Sequence, residues 1–353
     1  MSGVIAEDAT VLVEDASEAG AVYGRGFFGT VGAPGLTLDR AESVYLAEMG
    51  RLAVTDRAGH ALAWTEVMRR AVRAEPGFPV PYLVYRDLRQ RGYVVRSNPP
   101  PARFAVLPRG GTLHKTPARF WVQPISERAP FDLSELQALF DRARAARKTL
   151  LLGVIDEESD LTYYRVAAPT PNGVRTPKMP ADPVDALVNE DRVTIIDPAA
   201  VELLGHEGGF GSRIGARLEL SFVEAAFLAE RQALTLRHAG THRTMGLSAL
   251  ERRASRLDPG FATRRAAYRW LRDRGLIVKT GFKYGAHFRA YVRDPEHTHA
   301  RYLLQAVPEA HRSTWPVAAG QVRLAQGVRK QFLLAGVRTD GEVRCLELER
   351  IRP

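Results

Sequence analysis

The stretch FGTVGAPGLTLDRAESVYLAE, residues 28–48, returns as FGSRIGARLELSFVEAAFLAE at 210–230. At an offset of 182, Phe28, Gly29, Leu36, Leu38, Glu42, Leu46, Ala47 and Glu48 recur unchanged. A second block, YRDLRQRGYVV from Tyr85, matches YRWLRDRGLIV from Tyr268 at an offset of 183. A third, ARKTLLLGV from Ala146, matches VRKQFLLAG from Val328 and sets Lys148 opposite Lys330. Three blocks in one order at nearly constant spacing identify a tandem duplication, and each copy must build the same supersecondary unit.

Each copy reads as two parts. Apolar residues at helical spacing over 41–52 and 222–233 predict a helix that closes the first part. A second helix, 81–91 or 263–274, opens the next part and stops at Gly92 or Gly275, the C-cap position that favours glycine. After Gly275 come the β-rich runs LIVK, HFRAYV, ARYLLQAV, QFLLAGV and EVRCLELERI, with a further helix near 315–326. Between the copies, AAPTPNGVRTPKMPADP carries five prolines, which fix φ and remove donors, so it reads as an extended semi-rigid linker. The expected organisation is a small α+β subdomain over 1–75, an α/β subdomain over 76–166, the linker 167–183, and the same pair again over 184–258 and 259–353. The fold class is mixed α/β, with a mixed sheet in each second subdomain.

The hydrophobic content of 45% and charged content of 25% are those of an ordinary globular chain. No run of eighteen apolar residues suggests a membrane span, and the first ten residues lack the basic and apolar regions of a signal peptide. One cysteine, Cys345, leaves no intrachain disulfide and no cysteine-based zinc cluster; a reducing cytoplasmic setting fits. The net charge of +10 is unevenly placed: 259–353 holds 18 Lys+Arg against 8 Asp+Glu, and the rest is balanced at 32 each. Basic charge concentrated in one domain points to a polyanion, because cation–phosphate contacts release counterions.

Three side chains in this basic region invite a chemical reading. Tyr291 ends HFRAY, His299 precedes ARYLL, and Lys330 closes GVRK, each at an expected strand end. Taken singly, a strand tyrosine is usually packing, and a histidine or lysine at a strand end is usually solvated. The duplication supplies the comparison: Leu107 stands opposite Tyr291 and Pro117 opposite His299, whereas Lys148 faces Lys330. The framework therefore persists in the first copy without the tyrosine and the histidine.

The segment YRWLRDRGLIVKTGFKYGAHFRAY, followed by HARY and VRLAQGVRKQFLLAG, resembles the catalytic domain of the tRNA-splicing endonucleases. The likeness extends weakly over the first copy, and two tandem units with only the second complete resemble the archaeal duplicated-chain form. The resemblance implies an endonuclease-like second subdomain and cleavage of RNA without metal or cofactor, by attack of a ribose 2′-OH on the adjacent phosphate. The products would be a 2′,3′-cyclic phosphate and a 5′-OH. It implies Tyr291 as general base, His299 as the acid for the 5′-oxygen and Lys330 as the cation facing the charged intermediate. Cations around Tyr291 would lower its pKa from about 10 toward neutrality. Arg323 matches a family arginine that sandwiches a flipped-out base, and Arg344 is the nearest candidate for its partner, although Cys345 competes for that register. The implied substrate is a precursor tRNA with a bulge–helix–bulge. The implied assembly is a homodimer docked through an acidic loop, here Asp156, Glu157, Glu158 and Asp160.

Two other readings remain open. The pair His297 and His299, with His287, Asp294 and Glu296, suggests a metal-dependent nuclease. A non-catalytic RNA-binding subunit is the other. GHEGGFGSRIG lacks the GK[ST] ending of a phosphate loop and, by its likeness to the first copy, reads as a turn.

Overall fold

The computed structural model describes residues 1–97 and 101–353. The chain divides into two compact units. One comprises Met1–Ala129, Ala138–Val166 and Ile351–Pro353; the other comprises Pro130–Gln137 and Ala167–Arg350. Both are mixed α/β and follow one plan, a first sheet of six strands in one unit and five in the other, followed by five further strands in each.

In the first unit, Ser2–Ile5 sits centrally in a six-stranded sheet, antiparallel to Val11–Val13 and parallel to Ala53–Thr55. The second unit repeats this with Val184–Val188, antiparallel to Val193–Ile195 and parallel to Leu234–His238. The predicted helices are Arg40–Glu48 and Phe222–Glu230, and both start on a capping box, Asp39 with Glu42 and Ser221 with Glu224. That explains the glutamate shared by the two copies. Its carboxylate returns to the N-cap backbone and also accepts from the N–H of Gly29 or Gly211. Each such cap contributes about 1 kcal/mol.

The second predicted helix is Pro79–Gln90 in one unit and Phe261–Arg272 in the other. Gly92 and Gly275 follow with φ of +85° and +74°, a left-handed turn that glycine adopts without a Cβ penalty. Two helices that the sequence reading did not separate, Trp64–Ala74 and Leu247–Leu257, precede them.

The other sheet of each unit follows one plan. In the second unit the order is Val343–Ile351, Gln331–Val337, Tyr302–Pro308, Phe288–Tyr291, Ile277–Thr280, with only the Tyr302–Pro308 and Gln331–Val337 pair parallel. In the first unit the equivalent order is Leu161–Ala167, Thr149–Ile155, Phe120–Ser126, Phe104–Val106, Val95–Ser97, again with one parallel pair. Helix Trp315–Gly327 supplies the crossover into Gln331–Val337, the connection that a parallel pair requires.

The second unit also takes in Pro130–Gln137, whose strand Pro130–Asp132 pairs antiparallel with Arg312–Thr314 while Phe131 packs edge-on against Trp315 at 5.0 Å. The proline-rich stretch is held rather than free within this unit. Gly173 N donates to Arg274 O, Arg175 N donates to Gly275 O, and Arg175 forms an ion pair with Asp294 at 2.8 Å. Among the described residues no helix is long and apolar enough to cross a membrane.

Candidate active site

The strand register brings three chain segments to one end of the second unit's sheet. Ala290 pairs with Tyr302, and Tyr302 pairs with Gln331. Tyr291 therefore lies one residue past the first pairing and Lys330 one residue before the second, so both flank Arg301. The backbone bonds Arg301 N to Ala290 O, 3.0 Å, and Gln331 N to Arg301 O, 2.9 Å, fix this row. With neighbouring strands ~4.8 Å apart, the Tyr291 and Lys330 backbones are roughly 10 Å from each other. His299 stands two residues before Arg301, at the exit of the 295–297 turn, and its ring is exposed.

Tyr291 is 7% exposed and packs with Ile277 and Ala300. Burial pushes its phenol pKa above the ordinary value; the Arg289 guanidinium, 5.7 Å from the ring centre, pulls the other way, and the Tyr284 phenol raises it further. The expected lowering by surrounding cations is thus reversed, because desolvation of the phenolate outweighs the nearby arginine. Lys330 follows a left-handed Arg329 (φ +56°), its N–H donates to Ala325 O, and its ammonium lies 5.3 Å from the centre of the Tyr284 ring and 3.3 Å from Val328 O. Tyr284 thus links the surroundings of Tyr291 and Lys330, a role not assigned from the sequence. Its presence in the KTGFKYG motif was the available signal. Arg301 also went unassigned; it is exposed, donates from Nε to Gln331 Oε1 at 3.0 Å, and lines with Lys330, Arg329 and Glu347 a hollow of about 440 Å³.

The other motif residues divide by role. Lys279 is half-buried and donates to Gly211 O at 2.5 Å, with desolvation lowering its pKa, so it closes the N-terminal turn within its own unit rather than reaching the sheet end. Arg323 is exposed on helix Trp315–Gly327, near its C-terminal end and the following Lys330. Arg344 pairs with Gly336, five residues along from Gln331, which places it about 17 Å from the Lys330 end. There it meets Glu309 at 3.6 Å, so the structure does not bring it to Tyr291 and Lys330. Extending the same register sets Arg350 opposite Lys330.

In the first unit, Asp156, Glu157, Glu158 and Asp160 form the turn between Thr149–Ile155 and Leu161–Ala167. Asp156 Oδ1 accepts from the N–H groups of Glu158 and Asp160, and Glu157 pairs with Arg128 at 3.2 Å, leaving 157–160 exposed. Of the residues in the metal reading, His287 accepts from Ala306 N at its Nδ1 and burial lowers its pKa, and Asp294 is paired with Arg175. Among the described residues no three His, Cys, Asp or Glu side chains converge to hold a metal.

Comparison with known proteins follows the same division of the chain. The model of the tRNA intron endonuclease catalytic C-terminal domain matches residues 78–163 and 261–345, and the model of that family's N-terminal domain matches 1–68 and 184–247. The chain is 36% identical over 335 residues to the tRNA-splicing endonuclease of Methanococcoides burtonii and 37% identical over 334 to that of Methanosarcina barkeri, covering 94% of each chain in both cases. It is 32% identical over 348 residues to the tRNA-splicing endonuclease of Halobacterium salinarum, covering 93% of each.

Proposed function

We propose, for a chain that belongs to the tRNA intron endonuclease family, that it excises introns from precursor tRNA by cutting at bulge–helix–bulge junctions without a metal. It is an endonuclease of tRNA splicing in this reading, and the cut is made in its second unit. Tyr291 removes the proton of the 2′-OH, His299 protonates the departing 5′-oxygen, and Lys330 faces the charge that builds on the phosphate between them. The products are a 2′,3′-cyclic phosphate and a 5′-OH. Each proton transfer contributes about 100- to 10,000-fold, and a fixed cation aimed at developing charge adds comparably.

One observation carries this reading. The second unit keeps Tyr291, His299 and Lys330 around a single sheet end, whereas the first unit keeps the sheet and has Leu107 and Pro117 at the corresponding places. With its phenol pKa raised by burial, Tyr291 acts as base from the small fraction that is ionised, the phenolate taking up the 2′-OH proton. Arg323 serves the RNA from the helix beside Lys330, and Arg344 contacts RNA away from the cut.

One such site per chain accounts for the second cut by a homodimer, since two-fold symmetry presents two sites. The acidic turn Asp156, Glu157, Glu158 and Asp160 is its docking element, matched in charge to the basic second unit of another copy. A cytoplasmic place of action is part of this reading. The decisive experiment incubates the full chain with a bulge–helix–bulge RNA in excess chelator and analyses the ends. Cyclic phosphate and 5′-OH termini support the reading; loss of cleavage in chelator, or 3′-OH ends, sinks it. For assembly, reversing the charge of Glu157 and Glu158 is expected to halve the mass measured by sedimentation. An unchanged mass removes the docking role.

A further inference from the structure

Phe282 is 86% exposed, more than any other large apolar side chain among those described as exposed. A lone exposed apolar residue is ordinary on a protein surface, so exposure alone says little. Its setting says more. The 281–287 loop is closed by Gly281 N to His287 O, Tyr284 N to Gly281 O and Gly285 N to Phe282 O. Gly285 turns at φ +59°, and a Cβ on Gly281 would meet Ala286 O at 2.6 Å. These bonds and glycines constrain the loop, and Phe282 stands on it exposed to solvent.

The same loop borders the candidate site. Tyr284, two residues on, lies under the Lys330 ammonium, and exposed Lys283 stands between them. Tyr284 and Gly285 form one wall of an apolar hollow of about 240 Å³, whose other lining includes Val317 (54% exposed) and Leu324 (45% exposed). Arg323 neighbours Leu324 on the helix. Exposed apolar surface is thus interleaved with basic side chains, the combination that holds single-stranded nucleic acid by stacking and by phosphate pairing.

The first repeat gives an independent comparison. The sequence between Ser97 and Phe104, which stands at the corresponding place, reads NPPPAR and has no aromatic residue. The aromatic pair is absent from the same repeat that lacks the tyrosine and the histidine.

We propose that Phe282 is a stacking platform for one unpaired base of the RNA, with Lys283 on a phosphate of the same strand. This rests on RNA being the substrate of the adjacent site. The test uses the full chain and a bulge–helix–bulge RNA carrying 2-aminopurine at one unpaired position at a time, with 2′-deoxy residues at the cut sites. The expected result is quenching at one position by the parent chain. Phe282→Ala should lose that quench and bind about 5- to 150-fold more weakly, the range of base–aromatic stacking on alanine substitution, and Phe282→Tyr should retain both. Because the side chain is exposed, the variants should melt as the parent does. Parental binding and quenching by Phe282→Ala overturn the proposal, as does a change in sedimentation mass with RNA binding intact, which would assign Phe282 to a protein contact. Failure of the parent to cut unmodified RNA, with the Phe282-dependent quench present, would remove the cleavage reading alone.

Discussion

Lys148 and Lys330 occupy the same point of the same turn in the two units. Each follows an arginine in the left-handed region, Arg147 at φ +55° and Arg329 at φ +56°, and each donates its N–H back to an alanine carbonyl, Ala143 or Ala325. Their ammonium groups differ. Lys148 donates to Ala118 O at 2.6 Å, while Lys330 faces the Tyr284 ring, with the hollow beside it. Around them the packing is conserved between repeats to the level of single bonds. Arg89 lies over Phe28 at 3.6 Å and donates to Gly26 O; Arg272 lies over Phe210 at 4.0 Å and donates to Gly208 O. Arg119 N binds Val106 O as Arg301 N binds Ala290 O. Identity between repeats therefore marks chiefly what the fold needs; the lysine is the exception, the same residue with its ammonium in two different settings.

The comparison can be broken in several places. The largest expected effect is on turnover: Tyr291→Phe, His299→Ala and Lys330→Ala should each lower kcat by about 100- to 10,000-fold, while Lys148→Ala stays within about twofold. Equal losses at Lys148 and Lys330 in single-turnover assays would end the distinction between the units. Next comes pH. Burial holds the Tyr291 phenol above its ordinary value, so in His299→Ala residual cleavage should climb by about tenfold per pH unit from 6 to 9. A plateau inside that range would remove Tyr291 as the base.

A smaller effect separates the units by stability. Burial, reinforced by Asp39 and opposed by Arg96, raises the Glu42 carboxyl to about 7. The folded state then holds a proton that the unfolded chain releases near its ordinary value. Stability contributed by this group is full below that value, falls as pH rises through the window up to about 7, and changes no further above it. The total is on the order of 3 kcal/mol. Glu42→Gln should flatten the fall of melting temperature between pH 5 and 8, and an unchanged slope would contradict it. The smallest effect is at Lys148 itself: Lys148→Met loses the part-buried bond to Ala118 O and should cost about 1 kcal/mol in urea unfolding, against a smaller loss for Lys330→Met, whose bond to Val328 O is longer and exposed.

The duplication, the helices with their glycine stops and the strands after Gly275 were legible because each leaves a local trace: a repeat, a 3.6-residue period, a left-handed turn. Tyr291, His299 and Lys330 were singled out by family motif and internal comparison together, and the strand register sets Tyr291 and Lys330 on either side of Arg301. Less was legible where the cause is distant in sequence. Nothing local tells that Lys279 serves Gly211 O, 68 residues away, or that Arg344 lies at the end of the sheet remote from Lys330. The direction of the Tyr291 shift was misread for the same reason. Charge counts in sequence registered the arginines, and the burial against Ile277 and Ala300 that outweighs them appears only on folding.

By itself, the sequence determined a twice-written α/β chain, its family and the repeat that carries the complete motif, since periodicity, turn glycines and motif spacing are properties of neighbouring residues. Only the tertiary structure decided which of the basic side chains close turns and which face solvent, and that Tyr284 lies against Lys330 and raises the Tyr291 pKa. Register across strands and the desolvation of a side chain both depend on residues far apart in the chain, and no local pattern encodes them.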